Sequence, residues 1–169
     1  MSFSPIYSNV GKTKPFLLIL LLISATMAGI FTYQSTQKDF ETLDGEAYRW
    51  HDLQGQWIVV NYFAPWCAPC LREMPELALF HQSLPKNTRL FAINYDIKTK
   101  PELSAMIKEF DIAIPVIVSS PDTKLPMEKP PYLPATFILG PEGRVIDTIM
   151  GEVTAESLRQ RLSDLKALN

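Results

Sequence analysis

Trp57-Ile58-Val59-Val60-Asn61-Tyr62-Phe63-Ala64-Pro65-Trp66-Cys67-Ala68-Pro69-Cys70 joins a buried strand to the start of a helix that opens on a cysteine. From Trp57 to Phe63 nearly every residue is β-branched, aromatic or aliphatic, the pattern of a strand covered on both faces. Ala64-Pro65 ends it, and Pro69 suits the first turn of a helix because its fixed φ is already helical and its missing N–H costs nothing there. Helical spacing follows: Met74, Leu77, Ala78, His81 and Leu84 share a face, and Leu84-Pro85 closes the segment. Pro75 lies inside it and predicts a kink, since proline removes one backbone donor and crowds the preceding turn. Cys67 then sits where unpaired N–H groups and the helix dipole favour negative charge, which lowers a thiol pKa and enriches the nucleophilic thiolate. Cys70, one turn on, is placed to displace a partner's sulfur from Cys67, the second step of exchange through a mixed disulfide. Trp66 supplies an apolar lid and contact surface.

These are the only two cysteines among 169 residues. A disulfide closing so small a ring removes little unfolded-state entropy, so a purely structural role is weakly motivated. A zinc ribbon needs a second Cys or His pair, and His51 and His81 are isolated; no metal and no organic cofactor is expected, only a redox-active Cys67–Cys70 disulfide. A formal net charge of −2 gives no basic field for nucleic acid. An apolar content of 47% in a chain this long supports one core.

Outward from the cysteines, Arg89–Tyr95 is a second buried strand. Thr99-Lys100-Pro101-Glu102 is a capping box that opens a helix through Phe110. Ile114–Val118 gives a third strand, and Thr136–Leu139 with Arg144–Ile149 a hairpin around Pro141-Glu142-Gly143. A last amphipathic helix begins near Thr154 and carries Leu158, Leu162, Leu165 and Leu168. Phe40–Glu46 and Tyr48–Leu53 predict an N-terminal hairpin. Ser119–Pro134, with prolines at 121, 126, 130, 131 and 134, is a constrained surface loop. This order predicts an α/β fold with one sheet covered by helices on both faces. His51, Trp50 and Trp57 read as packing or surface residues.

No charged residue occurs from Pro15 to Gln37, and Lys12 and Lys14 precede that run. About 20 apolar residues cross a bilayer, and flanking lysines hold the short N-terminus in the cytoplasm. A cleaved signal peptide, with Thr26-Met27-Ala28 as the cleavage pattern, is the competing reading. The expected division is residues 1–14 as a cytoplasmic N-terminus, 15–35 as a transmembrane anchor or signal peptide, and 36–169 as one domain, exported in either case.

The strings Val59-Val60-Asn61-Tyr62-Phe63-Ala64, Trp66-Cys67-Ala68-Pro69-Cys70, Arg72-Glu73-Met74-Pro75-Glu76-Leu77 and Leu133-Pro134-Ala135-Thr136-Phe137-Ile138, then Gly143-Arg144-Val145, resemble the thioredoxin superfamily and within it the TlpA/ResA-like membrane-tethered group. The resemblance runs from about Phe40 to Leu165. It implies a thioredoxin-like fold: a central mixed β-sheet flanked by helices, an N-terminal β-hairpin extension and a single N-terminal transmembrane helix. It implies that Cys67 is the nucleophile and Cys70 the resolving thiol, and that Pro134 is a cis-proline whose predecessor Leu133 offers backbone groups to a substrate. Where thioredoxin has a buried Asp, this chain has Asn61, which cannot take a proton. The family pattern points instead to Glu73 as the acid tuning Cys70; a solvated carboxylate paired with Arg72 is the alternative.

Peroxiredoxins, which share the fold, would need Pro at Val60 and Thr at Ala64. Copper-delivering relatives space their cysteines by three residues and add a His; a Cu(I)-binding chaperone stays the runner-up of another class. A thiol oxidase is the alternative within the redox class. Ala68-Pro69 lacks a His that would stabilise the Cys67 thiolate, which favours a reductant of exported protein disulfides in the periplasm. The resemblance implies a membrane thiol-electron transporter as donor. Pro130-Pro131-Tyr132-Leu133 does not match the Gly-Val-Tyr-Gly signature of a dedicated cytochrome-maturation thioredoxin, so the substrate is not specified.

Overall fold

The computed structural model describes residues 13–168, and in the first helix the side chains of Phe16 to Ile30 and Thr32. The chain forms two compact units, residues 1–37 and 38–169. The first holds α1 (Thr13–Thr36), a helix of 24 residues whose described side chains are all exposed and mostly apolar. Among the described residues no helix is long and apolar enough to cross a membrane.

The second unit is built on a five-stranded sheet of order β5-β4-β3-β6-β7. Its strands are β3 (Trp57–Phe63), β4 (Thr88–Asn94), β5 (Val116–Ile117), β6 (Ala135–Leu139) and β7 (Val145–Met150). The strand quoted first, β3, is central: it pairs parallel to β4 and antiparallel to β6, and every residue in it is buried. That burial explains its nearly continuous apolar run, which only Asn61 interrupts. β6 and β7 form the expected hairpin, and Gly143 turns it at φ 75°, a left-handed value that a side chain would resist.

Alternate β3 residues enter two cores. Trp57, Val59 and Phe63 face a core shared by α2 (Ala68–Gln82), α3 (Lys100–Glu109) and α4 (Ala155–Leu168). Ile58, Val60 and Tyr62 face the other, with Phe40, Leu53, Phe91, Phe137 and Leu139. The sheet is therefore mixed and flanked by helices, but the buried residues of all three helices enter one core, where helices on both faces were expected. The second face is closed by the hairpin β1 (Phe40–Glu41)/β2 (Ala47–Tyr48), a 3-10 turn at Trp50–Leu53, and Leu125 and Met127 of the proline-rich loop. Phe40 packs against Trp50 at 4.8 Å, and the Trp50 indole donates to Lys124 O at 2.8 Å, tying hairpin to loop. The hairpin also shields the sheet edge: Leu43 N–H donates to Val116 O and Val118 N–H to Glu41 O, both at 2.8 Å.

α2 runs unbroken through Pro75, and its buried stripe is Cys70, Glu73, Met74, Leu77 and Phe80. Ala78, His81 and Leu84 of the expected face are only half-buried. The stripe is displaced toward Phe80 because α2 packs against α4 as well as the sheet. At α3 the capping box forms as expected: Thr99 Oγ1 accepts from Glu102 N–H at 3.4 Å and Glu102 Oε2 from Thr99 N–H at 2.8 Å. Thr99→Ala is expected to cost the domain about 1 kcal/mol in urea unfolding, the usual worth of such a cap.

Candidate functional site

Where β3 ends, Ala64-Pro65-Trp66 turns the chain into α2, and Cys67 becomes the N-cap. Its backbone N–H donates to Ala64 O at 3.1 Å and its O accepts from Leu71 N–H at 3.1 Å. Its Sγ accepts from Cys70 N–H at 3.3 Å, so a backbone donor at the positive end of the helix already points at this sulfur. Cys67 and Cys70 are joined in a disulfide with Cα atoms 5.3 Å apart. Cys67 is 5% exposed and Cys70 fully buried, so a partner can approach only the first sulfur.

Cys67 lies in the wall of a groove of about 540 Å³ lined also by Trp66, Ala68, Pro69, Tyr95, Pro131, Tyr132 and Leu133. The Leu133–Pro134 peptide is cis, and Pro134 is buried at the head of β6 with its O accepting from Gly151 N–H at 2.9 Å. Leu133 is thereby presented on the groove beside Cys67. Trp66 is 63% exposed but fixed: its indole N–H donates to Asp96 Oδ2 at 2.8 Å and its ring meets Tyr95 edge-on at 5.9 Å.

Behind the disulfide, in the core, lies Glu73. It is 2% exposed, with Oε1 accepting from Asn61 Nδ2 at 2.8 Å and Oε2 from Val153 N–H at 2.9 Å. Burial pushes its pKa up to about 7, against the two hydrogen bonds that favour the carboxylate, and nearby Glu152 adds to the rise. Arg72, the alternative partner, pairs with Glu152 at 2.5 Å instead. Asn61 Nδ2 also donates to Thr136 Oγ1 at 3.0 Å, so the amide at the Asp position of thioredoxin links β3, α2 and β6.

The structure thus gathers Trp66, Cys67 and Leu133 around one groove, with Pro134 beneath it and Cys70 and Glu73 behind. Tyr95, Asp96 and Tyr132 were not singled out by sequence. Tyr132 stood within the string that carried the proline, but nothing in the local pattern marked Asp96, which meets Trp66 only through the fold. Among the described residues no cluster of three or more His, Cys, Asp or Glu side chains is placed to hold a metal ion.

A Cys-x-x-Cys disulfide capping the helix after the central strand, beside a cis-proline on the neighbouring strand, defines a thioredoxin-fold thiol:disulfide oxidoreductase. The AhpC/TSA family profile matches residues 31–148, and the chain belongs to that family. It is similar to the thiol-disulfide oxidoreductase ResA of Geobacillus thermodenitrificans, 29% identical over 167 residues that cover 93% of this chain and 95% of the relative. In fold it is similar to StoA from Bacillus subtilis, with TM-score 0.62, 22% identity, and 72% of this chain and 92% of that one covered. It is likewise similar to the exposed lipoprotein thioredoxin Etrx1 of Streptococcus pneumoniae, with TM-score 0.66, 19% identity, and 74% and 96% covered.

Proposed function

We propose that this chain is a membrane-tethered reductant of disulfides in exported proteins. The observation that carries the reading is Cys67 as helix N-cap in the wall of the groove, with Cys70 bonded to it from the core. In the reduced protein the Cys67 thiolate attacks a substrate disulfide. That S–S bond breaks, a mixed disulfide forms, and the departing sulfur takes a proton. Cys70, giving its proton to a base, then attacks Cys67 Sγ; the Cys67–Cys70 bond forms and the second substrate thiol leaves. Two electrons and two protons pass to the substrate. Glu73, buried one turn beyond Cys70 and titrating near neutrality, is the base in this reading. Leu133 and Pro134 present backbone to the substrate, and Trp66 covers it.

An exported compartment is oxidising, so the dithiol must be recharged, and a membrane thiol-electron transporter is the donor this reading requires. Support for the tether is the uncharged run from Pro15 to Gln37 behind Lys12 and Lys14, which extends past the described side chains of α1 at both ends. A reporter fused after Asn169 is expected to be active only on the exported side, with the protein in the membrane fraction; a soluble form beginning near Gly29 would identify a cleaved signal instead.

Equilibration of the Cys67/Cys70 pair with glutathione tests the direction of flow. A potential near about −270 mV, in the thioredoxin range, fits a reductant, whereas one near about −120 mV makes the protein an oxidase. Peroxidase chemistry finds no support, since Val60 and Ala64 occupy the positions that it needs and both are fully buried.

A further inference from the structure

β4 is covered on its outer side over only part of its length. β5 pairs with Ala92 and Ile93 alone, so no strand lies beside Thr88–Phe91. Ala92 N–H points outward, where it donates to Pro115 O at 2.8 Å. A strand repeats its backbone direction at every second residue, so Leu90 turns its N–H and C=O to that same open side. An unpaired strand edge is a template for another strand. The gap is a cavity of about 350 Å³ that straddles the edge. Leu84 and His81 border it on the helical face of the sheet, Tyr48, Arg89 and Phe91 on the other, and Pro115 at the end toward β5.

No acidic side chain lines this cavity, and its cation is not neutralised. Arg89 lies over the Tyr48 ring at 5.7 Å and engages only its Nε, which donates to Gln56 Oε1 at 2.8 Å; it forms no ion pair among the described residues. Glu46, outside the lining, is taken up by the Tyr48 hydroxyl. Where β4 begins, Lys166 Nζ donates to Thr88 Oγ1 and Lys86 O, both at 3.0 Å, and to no carboxylate. His81 Nδ1 is buried without a hydrogen-bond partner. A second copy of this edge would set Arg89 and Lys166 against their like, which opposes self-pairing.

We infer that the outer edge of β4 from Thr88 to Phe91 is a docking site for an extended segment of a partner protein, added as a further strand, in which acidic and apolar residues alternate. The segment pairs its backbone with Leu90, sets its acidic residues on the Arg89 face and turns its apolar ones toward Leu84. Thr88 stands beside Trp57, the first residue of β3, whereas Asn94 stands beside Phe63, the last before the turn to Cys67. The docked segment is therefore about 20 Å along the sheet from the disulfide end, and it leaves the groove open. Docking is independent of the direction of electron flow.

The test is fluorescence anisotropy of labelled, end-blocked peptides titrated with the full-length chain in nonionic detergent. An alternating Val-Glu peptide is compared with an alternating Val-Lys peptide, and with Val-Glu methylated at its backbone nitrogens, which keeps the charges and removes the ladder donors. Val-Glu is expected to bind at least about tenfold more tightly than either. Arg89→Glu is expected to reverse the order of the two unmethylated peptides; Arg89 is exposed, and an unchanged urea transition checks that the variant keeps its fold. The rate of Cys67 alkylation in the reduced chain is expected to be the same with and without saturating Val-Glu. No binding, equal affinities, or an order unchanged in Arg89→Glu overturns the site. Affinity that survives methylation overturns strand addition, and protection of Cys67 puts the peptide in the groove and overturns the location. A concentration-dependent dimer that Arg89→Glu abolishes overturns the occupant in favour of a second copy.

Discussion

Cys70→Ala should abolish turnover and leave about one equivalent of partner protein bound to each chain through Cys67, because the step that releases the mixed disulfide has lost its sulfur. Cys67→Ser should abolish both turnover and capture. The asymmetry follows from position. Cys67 is the N-cap, opens on the groove and accepts a backbone N–H, whereas Cys70 is fully buried one turn into α2. A free Cys67 in the Cys70→Ala protein keeps the helix terminus that favours its thiolate, so its first attack should proceed at close to the native rate. The measurement is non-reducing electrophoresis of membranes from cells carrying each variant, with reductant added to a matched sample. Capture by the Cys67→Ser protein, or none by Cys70→Ala, would reverse the assignment of nucleophile and resolving thiol. Proteins recovered from the Cys70→Ala trap also identify the substrate.

What could be read in the sequence divides along local and non-local lines. β3 and its cysteines were legible because the signals are contiguous: an apolar run, a proline turn, and a cysteine at the head of a helical period. The capping box at Thr99 and the turn at Gly143 were legible for the same reason. The face of α2 was misplaced because helical spacing alone does not say how many neighbours a helix has, and packing against both sheet and α4 drew Phe80 inward. The second face of the sheet was misassigned because nothing local announces that a proline-rich loop will send Leu125 and Met127 into a core. At the site, Asp96 and the backbone of Val153 act across 30 and 80 residues of sequence, through Trp66 and Glu73, and only the fold brings them there.

Glu73→Gln should remove a loss of stability that the native protein shows as pH rises from 5 to 8, so that the order of stability of the two proteins changes across that range. In the native protein the carboxyl titrates at about 7, against an ordinary value of 4.5, with burial as the main cause. Below pH 4.5 the group is protonated both folded and unfolded, and its ionisation adds nothing. From 4.5 to 7 the folded state holds a proton that the unfolded state has lost, so stability falls as pH rises, reaching a deficit of about 3 kcal/mol above pH 7. Glutamine does not ionise and removes this slope. It keeps an acceptor for Asn61 Nδ2 but turns an amide donor toward Val153 N–H, which costs about 1 to 3 kcal/mol at every pH. The variant should therefore be the less stable protein at pH 5 and equal or superior at pH 8. Urea unfolding of the full chain in detergent, at half-unit intervals of pH, gives the difference curve directly. Exposed carboxylates such as Glu102 and Asp52, held low by Thr99 and Arg49, contribute equally to both proteins and cancel. Parallel curves would mean that Glu73 does not titrate in this range, and the base that receives the Cys70 proton would have to lie elsewhere.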